Sequence, residues 1–419
     1  MRNRNDRSDN RRWADKLSGV IQVFFFSAFL LLFLKNFAWQ GLALAVGVPL
    51  VIRVGTRFLP EKFHMDPLLL SLTNFLCGLG VLTLYATNPA YAYLQMVYYG
   101  VGLIAMIIFI YLVRLIKSWG FLSALMIPAS LALLALPLVI GQETYGAKNW
   151  FYIGSLSVQP SEIVKLSMLL ILAHYMSRHR MLPWLIFSVG CLGFLMLQKD
   201  LGTALMYYGT ALMMYYASSS NIVLTAVGLG GGAGAAVLGY HMFAHVKKRV
   251  AIWQNPWSDF DGSGYQIIQS LMALASGGLL GVGLGLGYPT VIPVYHTDFI
   301  FSVICEQFGL LFGLCVLAVY VAIVWRGATI AMAARYSFHG LLAMGCTALI
   351  ALQTFTIIGG VIKLIPLTGV TMPFVSYGGT SLVSSLCLMG MLQGVASLNA
   401  TNLEDDIELA RLRRPEVLL

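Results

Sequence analysis

The stretch YLQMVYYGVGLIAMIIFIYLV, residues 93–113, is uncharged along its whole length, and its apolar residues follow one another without alternation. A helix needs about 20 such residues to cross the hydrocarbon core of a bilayer. The whole chain of 419 residues has the same character, with 58% apolar residues, 10% charged residues and a mean hydropathy of +0.80. Soluble domains carry about 25% charged residues. A soluble enzyme and a disordered scaffold are therefore excluded, and the unbroken apolar runs disfavour a β-barrel.

Twelve apolar segments are predicted to span the membrane, at 19–35, 40–53, 66–87, 93–113, 119–140, 161–177, 181–197, 201–217, 221–243, 299–325, 338–362 and 380–398. The predicted fold is an all-α polytopic integral membrane protein. If the N-terminus is cytoplasmic and the spans alternate, 18 of the 26 Lys and Arg residues fall on the cytoplasmic side. The positive-inside rule therefore predicts that both termini are cytoplasmic. The net charge of +9 mostly reflects this bias and indicates no nucleic-acid partner.

One connection, residues 244–298, is too long for a tight turn and falls on the outer face in this topology. Long loops in compact domains are usually functional. Its basic cluster at 247–249 opposes the topological bias, which favours an anionic partner: either the headgroups of membrane lipids or a lipid diphosphate. Asp259 and Asp261 lie in a glycine-rich stretch of the loop, where solvated turn acids are the simpler interpretation.

Charges inside predicted spans are the most informative residues, because each costs roughly 2.5–3.5 kcal/mol at the centre of a membrane helix. Glu162 and Lys165 are spaced i, i+3 at the start of a span and share one helix face. Two compatible interpretations follow. Glu162 and Lys165 could form a self-neutralising ion pair, and they could also line a cavity that binds a charged headgroup.

Two aspartates lie at predicted outer ends of spans. Asp200 precedes the span that starts at Leu201, and Asp298 precedes the span at 299–325. Each could cap its helix, because a carboxylate satisfies free N–H groups there, or could serve a site. Thr297 could cap the second helix equally well. Glu306 lies deeper in the same predicted span, roughly 12 Å from Asp298 along a helix, and points away from it.

The sequence contains no recognisable cofactor-binding motif. The six cysteines lie singly in apolar runs, and the seven histidines show no metal-ligand spacing. We expect no required cofactor, although a divalent cation such as Mg²⁺ or Mn²⁺ could assist catalysis.

Five stretches together resemble one family, the SEDS proteins (shape, elongation, division and sporulation), typified by FtsW, RodA and SpoVE. They are GAKNWFYIGSLSVQPSEIVKLS at 146–167, QKDLGT at 198–203, KKRVAIWQNPWSDFDGSGYQIIQS at 247–270, HTDFIFSVICEQFG at 296–309 and PLTGVTMPFVSYGGTS at 366–381. All five lie at or near the outer face in the predicted topology.

The resemblance implies a peptidoglycan glycosyltransferase that polymerises lipid II on the outer face of the bacterial cytoplasmic membrane, with a class B penicillin-binding protein (a transpeptidase) as partner. It also implies a ten-helix core. The chain then divides into a basic tail at 1–18, an extra transmembrane hairpin at 19–60, a polymerase core at 61–400 and a C-terminal tail at 401–419. The branch (division, elongation or sporulation) stays open.

The family's catalytic aspartate maps onto Asp298. Substrate-binding roles are implied for eight further residues: Glu162, Lys165, Asp200, Lys248, Arg249, His296, Thr297 and Ser376. Four positions depart from the family's usual motifs, namely Asn149, Lys199, Phe260 and Gln307. These departures concern loop roles more than the catalytic assignment.

Two other classes of function stay open. A lipid II flippase would also place charges within the membrane, although it would tend to show inverted internal repeats, and none is visible. A non-catalytic member of the family could act as a scaffold for a transpeptidase. An assay of lipid II polymerisation separates these possibilities.

Overall fold

The computed structural model describes residues 4–116, 118–144, 147–153, 156–260 and 262–412. Asp261 lies outside the described residues. Fifteen helices are seen in these ranges: α1 Arg4–Asn36, α2 Trp39–Phe63, α3 Pro67–Thr87, α4 Pro89–Leu115, α5 Gly120–Ile140, α6 Pro160–Ser177, α7 Met181–Leu197, α8 Leu201–Ser219, α9 Ile222–Met242, α10 Ala244–Gln254, α11 Ser263–Gly277, α12 Ile300–Phe308, α13 Leu310–Met332, α14 Ser337–Val361 and α15 Gly379–Leu412.

The predicted class, an all-α polytopic membrane protein, is confirmed. Each of the twelve predicted segments lies mainly in one helix, namely α1 to α9, α13, α14 and α15, although the segment at 299–325 also contains α12. Within the described part of the chain, nine of these helices are long and apolar enough to cross a bilayer by themselves. The other three, α6, α7 and α8, have 18, 17 and 19 residues. The number of spans and their orientation stay predictions.

The segment predicted as one span at 299–325 is two helices, so that prediction was wrong. The chain breaks at Gly309, whose φ is +86°. The glycine-rich run 277–287 crosses at this point, and a Cβ on Gly309 would collide with the carbonyl oxygen of Leu279. The run supplies acceptors for the first N–H groups of α13, because Leu310 N donates to Gly278 O at 2.9 Å. A tertiary contact therefore replaces the helical bonds that the apolar pattern predicted.

The buried centre of the bundle consists of α3, α6, α14 and α15. Helix α15 packs closely on α4, where a Cβ on Gly390 would lie 2.5 Å from Met106 O. Such close backbone approach is typical of small residues between membrane helices.

The N-terminal hairpin, α1 and α2, packs against α3. Phe25 and Phe29 on α1 are fully buried, and the ring of Phe25 fills the space beside Gly78. The division of the chain into hairpin and core stays a prediction, but α1 contributes directly to the packing of α3.

One end of the bundle contains the five sequence motifs quoted above, and we call it the site end. A small antiparallel sheet lies here, formed by β1 Gln142–Thr144, β2 Ala147–Ile153 and β3 Leu156–Val158 in that order. The sheet was not predicted. Hydrogen bonds join the segments at this end to one another. Lys148 N of β2 donates to Gln198 O at 3.2 Å, and Trp253 Nε1 of α10 donates to Lys363 O at 3.0 Å. The bundle thus brings segments far apart in sequence to one face.

At the opposite end, Asp66 caps α3 by accepting from Leu69 N at 2.9 Å and pairs with Arg326 Nε at 2.6 Å. His64 on the α2 side lies 4.0 Å from Glu404 on α15. The first residues of α1 and the last residues of α15 therefore lie at the same end. This is the arrangement that two termini on one side of the membrane require.

The predicted orientation can be tested with single cysteines. Thr290→Cys, exposed at the site end, is expected to react with an impermeant maleimide in intact cells or spheroplasts. Arg178→Cys, exposed at the opposite end, is the matched control and is expected to react only after lysis. The reverse pattern of labelling would invert the topology.

Candidate active site

Asp298 lies in the turn before α12 and is half-buried. The N-cap of α12 is Phe299, and it makes no side-chain capping bond. Neither Asp298 nor Thr297 therefore caps the helix, and the capping interpretation loses its support. Instead, the Thr297 hydroxyl lies within hydrogen-bonding reach of Val294 O, at 3.2 Å, and of the Asp298 carboxyl. The Asp298 carboxylate therefore faces the candidate site, on the side of Gly369.

The turn that carries Asp298 is held by the segment that follows α14. Ser376 Oγ donates to Thr297 O at 2.6 Å and accepts from Met372 N at 2.8 Å. Tyr377 N donates to His296 O at 2.9 Å. The structure thus brings together four of the predicted site residues: His296, Thr297, Asp298 and Ser376.

Arg249, on α10, lies beside the same turn. Its Nη1 donates to Thr368 O at 3.0 Å and to Leu367 O at 3.3 Å, and its charge acts on Asp298. The neighbouring Gly369 has φ +74°, and a Cβ there would lie 3.6 Å from Asp298 Oδ2. A fixed cation and a carboxylate therefore flank one short loop.

Opposing effects act on the Asp298 carboxyl. Burial raises its pKa to about 6, while the hydrogen bond from Thr297 and the charge of Arg249 oppose that rise. Burial lowers the pKa of His296, so this imidazole is neutral near pH 7. A carboxylate poised near neutrality has the proton affinity that a general base needs.

Asp200 caps α8 and also accepts hydrogen bonds from two side chains that precede α6, and its role in substrate binding stays a prediction. Oδ1 accepts from Thr203 N at 3.1 Å at the start of α8. Oδ2 accepts from Asn149 Nδ2 at 2.9 Å and from Gln159 Nε2 at 3.1 Å. Asn149, which replaces the family's usual arginine, therefore supplies a neutral donor where a cation is usual.

The start of α8 also touches the loop that Arg249 binds. A Cβ on Gly202 would lie 2.8 Å from Thr368 O. Lys199 and Arg249 both lower the pKa of His245 by their charges, after the larger effect of burial. The site end is therefore positively charged around 245–249 and 199.

Glu162 and Lys165 form a buried ion pair on α6, with 11% and 5% of their side chains exposed. Ser384 on α15 donates a hydrogen bond to Glu162 Oε2 and another to Ser381 O at 2.9 Å. Ser381 Oγ in turn lies 2.5 Å from Thr371 Oγ1. A polar path therefore leads from the segment beside Asp298 into the bundle and ends at the pair.

Lys248 and Glu306 make their described contacts elsewhere. Lys248 Nζ lies 3.2 Å from Asp259 Oδ2, and Asp259 also accepts from Ser263 N at 3.1 Å at the start of α11. The substrate-binding role of Lys248 stays a prediction. Glu306 accepts from Tyr288 N at 3.1 Å and so holds the glycine-rich run.

Several residues of the candidate site were not predicted from the sequence. The ring of Tyr91, at the start of α4, stacks on His296 with centroids 4.5 Å apart and lies 4.8 Å from the ring of Tyr377. Gln159 donates a hydrogen bond to Asp200, and Ser384 donates one to Glu162. Tyr91 and Ser384 lie within or beside apolar runs, where tyrosine and serine are ordinary, so no sequence signal separates them from packing residues.

Among the described residues, no group of three or more His, Cys, Asp and Glu side chains could hold a metal ion.

Comparisons with known proteins agree with this geometry. The cell cycle protein family of FtsW, RodA and SpoVE matches residues 69–401. Stage V sporulation protein E of Bacillus subtilis is 34% identical over 364 residues, which cover 80% of this chain and 98% of that protein. Peptidoglycan glycosyltransferase RodA of Mycobacterium tuberculosis (H37Rv) is 33% identical over 377 residues, which cover 81% of this chain and 79% of RodA.

Solved structures show the same architecture. A chain from a peptidoglycan synthase complex that coordinates polymerisation and crosslinking superposes with a TM-score of 0.67 at 27% identity. The match covers 80% of this chain and 98% of that chain. The rod shape determining protein RodA of Thermus thermophilus gives a TM-score of 0.59 at 28% identity, with 80% and 98% covered.

Proposed function

This chain belongs to the FtsW, RodA and SpoVE family of cell cycle proteins, and from that premise we propose that it is a peptidoglycan glycosyltransferase that polymerises lipid II. It is a multi-pass protein of the bacterial cytoplasmic membrane. The observation that carries the proposal is the half-buried Asp298 beside Arg249 at the end of an apolar bundle. Lipid II would present its diphosphate and sugars at the depth of this end.

The chemistry needs one base and one cationic group. Lipid II carries an α-linked diphosphate, and the glycan linkage is β-1,4, so the anomeric carbon inverts in a single displacement. The acceptor 4-hydroxyl attacks the anomeric carbon and its proton passes to Asp298, while the bond to the diphosphate breaks. Diphosphate leaves without a general acid, so the two carboxylates of a glycosidase are not required.

Arg249 is the group best placed to hold the leaving diphosphate. It is anchored through one guanidinium nitrogen to Thr368 O and Leu367 O, and a fixed cation stabilises negative charge as it develops. Lys165 is buried with Glu162 and Lys248 faces Asp259, so both have a carboxylate partner already. The buried pair would contribute by keeping the polar path in place.

Arg249→Ala is expected to lower the rate of lipid II polymerisation by about 10²-fold, the scale at which one stabilising donor acts. Lys248→Ala is the matched control on the same helix, and it is expected to retain most of the activity because that ammonium faces Asp259. The measurement is glycan chain formation by the purified variants. Equal losses in the two variants would remove the special role of Arg249.

The pH dependence of kcat/KM is expected to show an acid limb with a midpoint near pH 6. Asp298 acts as a base only when deprotonated, and its pKa in the free enzyme is raised to about 6. The profile of kcat/KM reports the free enzyme, so activity falls as pH drops through that value. A flat profile between pH 5 and pH 7 would contradict this assignment.

Polymerisation of lipid II by the purified chain tests the function as a whole. The chain is mixed with lipid II in detergent, and glycan strands are resolved by gel electrophoresis. Transport of lipid II across liposomes without polymerisation would establish the flippase in place of the enzyme. Neither activity, together with retained binding of a transpeptidase, would establish the scaffold.

A transpeptidase is the partner that this function needs, because new glycan strands must be crosslinked. One solved relative belongs to a complex of polymerisation and crosslinking. We therefore propose a class B penicillin-binding protein as partner of this chain, together with lipid II as substrate and the surrounding membrane lipids.

A further inference from the structure

The end of α1 touches the glycine-rich run 277–287. Lys35 Nζ donates to Gly285 O at 2.6 Å, across 250 positions of sequence. A Cβ on Gly285 would lie 3.1 Å from Leu32 Cδ2, also on α1. Helix α1 precedes residues 69–401, which match the family. This contact therefore joins the N-terminal hairpin to the family core.

The glycine-rich run is in turn bonded to α12. Val282 N donates to Glu306 O at 2.9 Å, and Gly283 N donates to Gln307 O at 3.0 Å. The Glu306 carboxylate also accepts from Tyr288 N at 3.1 Å. Because two residues of the run and the adjoining Tyr288 bind two residues of α12, the run and α12 must move together.

Helix α1 makes a second contact at the break between α12 and α13. The ring of Phe24 stacks on Phe312 with centroids 5.8 Å apart, and it lies 6.3 Å from the ring of Phe308. Phe308 and Phe312 stack on each other at 4.6 Å. Helix α1 therefore makes side-chain contacts with both the glycine-rich run and the α12–α13 break.

We propose that α1 is a positioning element for the turn that carries Asp298, acting through Lys35 and Phe24 on the glycine-rich run and α12. The inference rests on the proposed function. Helix α12 has 9 residues, so it is only about 13 Å long, and its neighbours rather than the bilayer set its orientation. Asp298 lies two residues before its first residue, Ile300, and any tilt of α12 moves the carboxylate.

Arg249 on α10 is a charged group that acts on the Asp298 carboxyl. His296 lies in the same turn, Tyr377 N after α14 donates to His296 O at 2.9 Å, and Asp200 precedes α8, whose Gly202 approaches Thr368 O. The contacts of α1 reach α12 and the glycine-rich run instead. A variant in α1 can therefore change the environment of Asp298 only by moving it or by admitting water.

The test compares three variants of the full chain. Lys35→Met removes the donor and keeps the stem, Lys35→Arg keeps a cationic donor, and Lys16→Met is the same substitution at the other end of α1, where Lys16 covers Trp13. Lys35→Met is expected to lower kcat by about 3- to 10-fold with KM unchanged, because small misplacement of a catalytic group costs rate. Lys35→Arg is expected to restore kcat, and Lys16→Met to match wild type. Phe24→Leu should act in the same direction as Lys35→Met.

The pH profile separates positioning from a general loss of stability. Water admitted beside Asp298 lowers its raised pKa, so the acid limb of kcat/KM for Lys35→Met is expected to move to lower pH. A smaller folded fraction would scale the whole profile and leave its midpoint in place. An unmoved midpoint, wild-type kcat in Lys35→Met, or failure of Lys35→Arg to restore kcat would each overturn the proposal.

A second readout does not depend on enzyme activity. Leu284→Cys, half-buried in the glycine-rich run, is introduced with Cys315→Ala, which removes an exposed native thiol. Its reaction with maleimide is expected to be several-fold faster in the presence of Lys35→Met than with Lys35 or Lys16→Met. Equal rates would overturn the positioning role. If wild type does not polymerise lipid II, the proposed function fails, and this comparison still decides whether α1 holds the run.

Discussion

Asp298→Asn is expected to lower lipid II polymerisation by about 10²- to 10⁴-fold, the contribution of a general base. Asparagine is nearly isosteric and can still accept the hydrogen bond from Thr297. Because Asp298 makes no capping bond to α12, the substitution removes no helix cap. Expression, thermal stability and binding of a transpeptidase partner are therefore expected to stay at the wild-type level. The rate is measured as glycan formed from lipid II by purified protein.

Asp259→Asn is the matched control for Asp298→Asn. Asp259 is also an aspartate of the long connection between α9 and α12, but it pairs with the exposed Lys248. Its substitution should cost much less activity, because exposed pairs contribute only about 0–1 kcal/mol. Wild-type polymerisation by Asp298→Asn would show that the catalytic assignment is wrong. Equal losses in the two variants would point to a shared structural effect.

Lys165→Ala is expected to destabilise the protein by about 3–5 kcal/mol, because it leaves the buried Glu162 charge without its partner. The pair is 11% and 5% exposed, and Ser384 supplies one further hydrogen bond to Glu162. Glu162→Gln combined with Lys165→Gln removes both charges and is expected to regain most of the folding stability. Polymerisation should not return with it, since the polar path that leads to the Asp298 segment is altered. Thermal unfolding in detergent and the polymerisation assay measure the two effects separately.

A double-mutant cycle decides whether Glu162 and Lys165 are coupled. Coupling of the buried pair should exceed that of the exposed pair Arg335 and Asp406, whose side chains are 56% and 59% exposed and lie 3.5 Å apart. Exposed pairs contribute about 0–1 kcal/mol. Additive stability losses at Glu162 and Lys165 would mean that the buried pair does not act as a unit.

Much of the fold could be predicted from the sequence because its main cause is local. Transfer of an apolar stretch such as 93–113 into a bilayer depends on composition over one helix length, and eleven of the twelve predicted segments each coincide with one helix, the exception being 299–325. Glu162, Lys165, Asp200 and Asp298 could also be selected from the sequence as candidates, since a charge within or beside an apolar run requires a reason. Their shared motifs indicated the family.

The site could be predicted only as a set of residues. Asp298 and Gly369 are neighbours, as are Arg249 and Thr368, but more than 70 positions separate the members of each pair, and no periodicity relates them. Whether Asp200 caps a helix or serves the site could not be decided either, because both roles use the same carboxylate, one oxygen for each.

The apolar pattern and the motifs alone sufficed for the class of protein, the helical segments and the charged residues of interest, because burial in lipid and positive-inside bias act on each segment separately. Tertiary structure alone decided the break at Gly309, the small sheet, the contact of Lys35 with Gly285 and the placement of Arg249 beside Asp298. Each of these depends on backbone groups of one segment meeting another segment at hydrogen-bonding distance. The packing of the whole bundle sets these contacts, so they cannot be predicted from a single stretch of sequence.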